Sequence, residues 1–187
     1  MSYERGAMNR CAKIGIDVKN IILKSDVSEE DYINAIEELN NDKSVNGILC
    51  LRPLPKHIDE NRVKYAIDAE KDVDCFNPIN SAKLFEGDTD GYAPCTPEAV
   101  MKILKHYNVE LSGKRAVVLG RSLIVGKPVS MMLMAQNATV TVCHSKTENL
   151  SDEAKKADVL IAAIGRAKMV DNSYVKEGAT VIDVGIN

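Results

Sequence analysis

Val117-Val118-Leu119 is an aliphatic run that stops at Gly120, and a helical pattern resumes from Lys127, with Val129, Met132, Leu133 and Gln136 at helical spacing. Strand, glycine turn and helix in that order present backbone N–H groups at a helix N-terminus, the usual geometry for holding a phosphate. The glycines, Gly120 and Gly126, are six residues apart, so the spacing is not GxGxxG and the bare pattern also suits a βαβ turn whose glycines serve packing. The rest of this half narrows the fold. After Leu111-Ser112-Gly113-Lys114, strands are expected at 116–119, 139–143, 159–164 and 180–184, with helices at 127–136, 150–156 and 172–176. Such alternation is half or more of a doubly wound parallel sheet.

The first half is less regular. Tyr3, Ala7, Cys11 and Ile14 share one face of a helix over 2–14, which Gly15 ends. Residues 18–23 read as a strand. Ser28 and Asp31 make a near capping box for a helix carrying Tyr32, Ile33, Ile36 and Leu39 to about Asn41. Residues 45–51 read as a buried parallel strand, closed by Pro53-Leu54-Pro55 at the end where ligands sit in open α/β sheets. A short helix is expected next, at 59–67. Residues 68–96 show no long periodic segment, and irregular stretches of that length are often functional. Thr96 and Pro97 open a helix as N-cap and first residue, running to about Tyr107. The expected fold is α/β and two-lobed, an N-terminal α/β lobe over 1–100 and a Rossmann-type lobe over 101–187. The helix at the very start and the strand at the very end suggest an internal piece of a longer protein.

Composition excludes several classes. A net charge of −3 without a run of like charges disfavours a nucleic-acid partner. No apolar run reaches the roughly 18 residues of a membrane span, and the N-terminal residues carry no secretory signal. Five scattered cysteines without a CxxC pair favour neither a zinc site nor a disulfide framework, which points to the cytoplasm. His57, His106 and His144 have no ligand spacing, so no metal is expected. Strand 139–143 ends in His144-Ser145-Lys146-Thr147, where an acidic residue would bind the ribose 2′-hydroxyl of NAD. Hydroxyl and cations there, with Arg121 in the glycine loop, suit a 2′-phosphate and so NADP. Asp72 and Asp74, each taken singly, read as surface-turn residues.

The chain resembles the methylenetetrahydrofolate dehydrogenase/methenyltetrahydrofolate cyclohydrolase family. The resemblance rests on Gly47-Ile48-Leu49, Pro53-Leu54-Pro55, Lys71-Asp72-Val73-Asp74, Pro94-Cys95-Thr96-Pro97, Gly120-Arg121-Ser122 through Gly126-Lys127-Pro128, Cys143 through Thr147, and Val181 through Asn187. It implies a homodimer of two-lobed subunits, with a tetrahydrofolate derivative in the cleft and NADP on the Rossmann lobe. It implies that Tyr3 stacks on the folate rings, that Asp74 binds the pterin edge, and that Cys50, Leu51 and Arg52 border the substrate. Gly120, Arg121 and Ser122 would line the cofactor, Arg121 and Ser145 would lie near its 2′-phosphate, and Ile186 would border the nicotinamide. Two positions depart from the bifunctional pattern. Ala7 stands where the family has a lysine, and Leu51 where it has a glutamine. Hydride transfer needs mainly orientation of two ligands. Hydrolysis of the methenyl cation needs proton transfer as well, worth on the order of 10²–10⁴-fold. The expectation is therefore a dehydrogenase with cyclohydrolase activity lost or weak. The alternatives are the ordinary bifunctional enzyme and a non-catalytic nucleotide- or folate-binding module.

Overall fold

The computed structural model describes the backbone of residues 2–185 and the side chains of residues 4–185. The chain divides into two compact units, Met1–Lys71 and Asp72–Asn187.

The first unit holds α1 (Ser2–Lys13), α2 (Glu29–Asn41) and α3 (Glu60–Ala66). Ser28 caps α2 as its sequence suggests, with Oγ accepting from the Asp31 amide at 3.0 Å. Asn40 couples the two later helices. Its side chain donates to the Ala66 carbonyl at 2.7 Å and accepts from the Asp68 amide at 3.0 Å. Lys71 closes the other end of α2, its ammonium donating to the carbonyls of Leu39 (3.0 Å), Asn40 (2.7 Å) and Asp42 (2.8 Å). A cation on the last carbonyls both satisfies unpaired acceptors and opposes the negative helix end. Ile36, Ile48, Ile58, Val63 and Ile67 are buried in this unit.

Neither strand expected here forms. Residues 18–23 are irregular, with Val18, Ile21 and Ile22 exposed. Within 45–51, Ile48 makes a single bridge, its amide donating to the Lys71 carbonyl at 2.6 Å. Parallel strands exist only as members of a ladder, and beyond that one bridge the described residues supply no ladder for these two segments.

The second unit begins with α4 (Pro78–Glu86) and α5 (Cys95–His106). Periodicity missed α4 because Asn80 is its one buried residue. Its signals are the ends: Asn77 caps it, Pro78 opens it, and Gly87 at φ +76° stops it. α5 starts earlier than its sequence suggests. Pro94 holds the cap position and Thr96 lies inside the first turn.

Four strands follow, β1 (Arg115–Leu119), β2 (Thr139–Cys143), β3 (Val159–Ala162) and β4 (Thr180–Asp183), in the order β2-β1-β3-β4. All neighbours are parallel. α6 (Gly126–Ala135) and α7 (Leu150–Lys155) connect them, and a 3₁₀ turn, Asn172–Tyr174, stands where a helix at 172–176 was expected. Alternate residues of β1 feed two cores. Ala116 and Val118 pack with Val100, Leu104, Val129 and Leu133. Val117 and Leu119 pack with Cys143, Ala154 and Leu160. Period-two alternation thus covers both sheet faces with helices, as a parallel sheet requires. The strand order reverses between β1 and β3, the crevice where such sheets bind ligands.

Replacing Lys71 by Met keeps the aliphatic stem and removes the three hydrogen bonds. Lys71→Met is expected to lower unfolding stability by about 2 kcal/mol, read as a fall in the urea midpoint of the Met1–Lys71 unit.

Candidate functional site

The C-terminal edge of the sheet gathers most of the residues singled out in the second half. Leu119 pairs with Cys143 on one side and Ala162 on the other. Gly120 and His144 therefore leave the sheet side by side, and Arg121 and Ser145 follow one residue later. The Gly120 amide donates to the Cys143 carbonyl at 2.8 Å, holding the two exits together.

Both glycines are required sterically. Gly120 has φ +120°, and a Cβ there would overlap the Ala163 carbonyl oxygen across the β1–β3 crevice. A Cβ on Gly126 would overlap the Gly120 carbonyl. The six-residue spacing is thus the length of a loop that folds back onto its own start. Ser122 holds the loop shut, its Oγ accepting from the amides of Val125 (3.1 Å) and Gly126 (3.3 Å) while its carbonyl accepts from Lys127 at 3.0 Å. The Ser122 hydroxyl caps the start of α6 from inside the loop.

Arg121, Ser145 and Lys146 are exposed. Among the described residues, their side chains have no hydrogen bond or ion pair to the protein. Three polar side chains, two of them cationic, are thus left uncommitted beside a closed glycine loop. Residues 144–147 contain no carboxylate. This donor set fits a phosphorylated ribose better than a ribose with a free 2′-hydroxyl. Ile186 lies outside the described residues.

The other expected site residues divide between the units. The side chain of Tyr3 lies outside the described residues, and Ala7 is half-buried on α1. Leu51 is 42% exposed. Cys50, next to it, is hydrogen-bonded to the Tyr32 hydroxyl, whose pKa burial pushes well up, with Cys50 adding to the shift. Arg52 faces Glu60 across 3.7 Å.

Asp72 and Asp74 belong to the second unit, and they differ. Asp72 is no surface-turn residue, since it is 1% exposed. One carboxylate oxygen accepts from the Phe76 amide at 2.9 Å; the other accepts from the Asn77 amide at 2.8 Å and the Asn80 side chain at 3.0 Å. A buried carboxylate is tolerable when it is this fully solvated by donors. It folds residues 72–77 into a tight loop in which Cys75 takes the left-handed φ of +56°. Asp74 sits on that loop, and its Oδ1 accepts from the Cys95 amide at 3.3 Å. Burial, with the negative charge of Asp74 beside it, pushes the Cys95 thiol up. Asp72 was thus undervalued in the sequence. The signal was an aspartate followed by Asn-Pro five residues on, a helix start needing an acceptor behind it.

Residues 94–187 match the family model "Tetrahydrofolate dehydrogenase/cyclohydrolase, NAD(P)-binding domain", and residues 1–74 match the catalytic domain of the same family. The chain belongs to the tetrahydrofolate dehydrogenase/cyclohydrolase family. It is 64% identical over 187 residues to the bifunctional protein FolD of Clostridioides difficile, covering 100% of this chain and 65% of that protein. Its fold is similar to that of the FolD methylenetetrahydrofolate dehydrogenase/cyclohydrolase of Campylobacter jejuni, with a TM-score of 0.97 and 42% identity, covering 100% of this chain and 66% of that one. It is also similar to the methylenetetrahydrofolate dehydrogenase-cyclohydrolase of Trypanosoma brucei complexed with NADP cofactor and inhibitor. There the TM-score is 0.93 and the identity 36%, covering 98% of this chain and 63% of that one. The chain thus spans a little under two thirds of the length of these relatives.

Gly120 and Gly113 separate conformational from steric cost. Gly113 has φ +74° with nothing near its absent Cβ. Gly113→Ala is expected to cost about 1 kcal/mol, and Gly120→Ala at least twice that, compared as denaturation midpoints measured side by side.

Proposed function

We propose that this chain carries NADP-dependent oxidation of 5,10-methylenetetrahydrofolate to 5,10-methenyltetrahydrofolate, with cyclohydrolase activity lost or weak. The observation that carries the cofactor half is the uncommitted set Arg121, Ser145 and Lys146 beside the closed 120–126 loop. The NADP in the Trypanosoma brucei relative supports the same reading. When bound, the nicotinamide supplies a hydride acceptor. The chain's part is orientation. In this reading Gly120, Arg121, Ser122, Ser145 and Ile186 line the cofactor. Tyr3 stacks on the folate rings, Asp74 binds the pterin edge, and Cys50, Leu51 and Arg52 border the substrate. The lobes are 1–100 for folate and 101–187 for NADP, in a cytoplasmic homodimer.

The cyclohydrolase half rests on Ala7 and Leu51. Neither side chain can donate, accept or shuttle a proton, and hydrolysis of the methenyl cation depends on such transfer. The bifunctional reading is the second one, favoured by the name of the relative at 64% identity. It would need another group to replace the lysine. Arg52 is the nearest cation in sequence to Leu51, and it is engaged with Glu60.

Two tests separate these readings in the full-length protein. NADPH formation from the methylene substrate is expected, with methenyl hydrolysis at least 100-fold slower. Hydrolysis at a comparable rate would overturn the loss. The double variant Ala7→Lys, Leu51→Gln is expected to raise hydrolysis by about 10²-fold or more. For the cofactor, Arg121→Ala is expected to weaken NADP binding by roughly 10–100-fold, with NAD binding changed by less than about threefold, measured by calorimetric titration.

A further inference from the structure

We propose that His144 is a positioning residue for the 2′-phosphate end of the cofactor site, acting through its ring Nδ1 on the turn that carries Ser145 and Lys146. The inference rests on the NADP reading above.

The turn over residues 144–147 is anchored at its start, because Cys143 is buried and its carbonyl accepts from Gly120. Three hydrogen bonds close it. The Thr147 amide donates to the His144 carbonyl at 2.9 Å. The His144 amide donates to the Thr147 hydroxyl at 2.9 Å. The Lys146 amide donates to His144 Nδ1 at 3.1 Å. The last bond fixes the ring. A backbone amide only donates, so Nδ1 accepts and a ring proton sits on Nε2. Its two-residue spacing is that of an Asx turn, with the imidazole nitrogen standing in for an aspartate or asparagine oxygen.

His144 Nδ1 and the Thr147 hydroxyl each accept from a backbone amide of the turn. Ser145 and Lys146, between them, spend none of their side-chain groups on the described residues and face solvent. The lock therefore separates the turn into two residues that hold shape and two that are presented. Without an acceptor at position 144 the Lys146 amide turns to water, and the two presented side chains lose their common orientation. The cost falls on a ligand group that meets both, the 2′-phosphate, and spares a ribose that lacks it.

The test is calorimetric binding of NADP, NAD and adenosine 2′,5′-bisphosphate to the full-length protein and three variants. His144→Ala is expected to weaken NADP and the bisphosphate by roughly five- to tenfold, with NAD changed less than about twofold. His144→Asn is expected to stay within about twofold of wild type, because its Oδ1 takes the place of Nδ1. His144→Asp keeps the turn and adds a negative charge, so NADP weakens and NAD does not. Equal weakening of NADP and NAD by His144→Ala, no weakening at all, or failure of His144→Asn to rescue would each overturn the assignment. A wild-type protein that binds NAD as tightly as NADP would instead overturn the 2′-phosphate reading itself, and the role of His144 with it.

Discussion

The contact on which the nucleotide-binding unit depends is that of the Gly120 backbone with its surroundings. On one side its amide reaches the Cys143 carbonyl. Across the crevice its α-carbon lies against the carbonyl of Ala163. Its own carbonyl lies against Gly126. The last two approaches are possible only without a side chain, at Gly120 and at Gly126, and all three together set the spacing of β2, β1, β3 and the start of α6. The β1 core residues stack beneath this junction, so packing and site geometry share one origin.

The second half was legible in sequence because its signal is redundant. Hydrophobic runs, glycine breaks and helical spacing all give the same alternation, and all four strands and two of the three expected helices fall within a few residues of expectation, the third being the 3₁₀ turn. The first half was less legible for a physical reason. Residues 18–23 and 45–51 have strand-like sequences, but a strand is a relation between segments, and the described chain offers them no more than the single bridge at Ile48. Helix α4 failed in the opposite way, forming without an apolar stripe because Asn77, Pro78 and Gly87 define its ends.

The site was read unevenly. Gly120, Arg121, Ser122 and Ser145 converge at one edge, as spacing after two adjacent strands foretells. The division of labour was not visible. Ser122 has the residue type of a ligand donor, yet its hydroxyl is used on the amides of its own loop. Lys71 and Asp72 are neighbours of opposite charge, and nothing in that adjacency separates their roles. In the fold the lysine closes a helix in one unit, and the aspartate organises a turn in the other. Only tertiary contacts assign such roles, because both residues are recruited by backbone groups, which look alike in every sequence.

The closure of the 120–126 loop by the Ser122 hydroxyl bears on binding in a further way. A loop already held by its own amides has little disorder to surrender when a nucleotide arrives, so association carries a small entropic cost. It also cannot reshape itself around a poor fit. Discrimination between related nucleotides is then written in how long each one stays rather than how fast it enters.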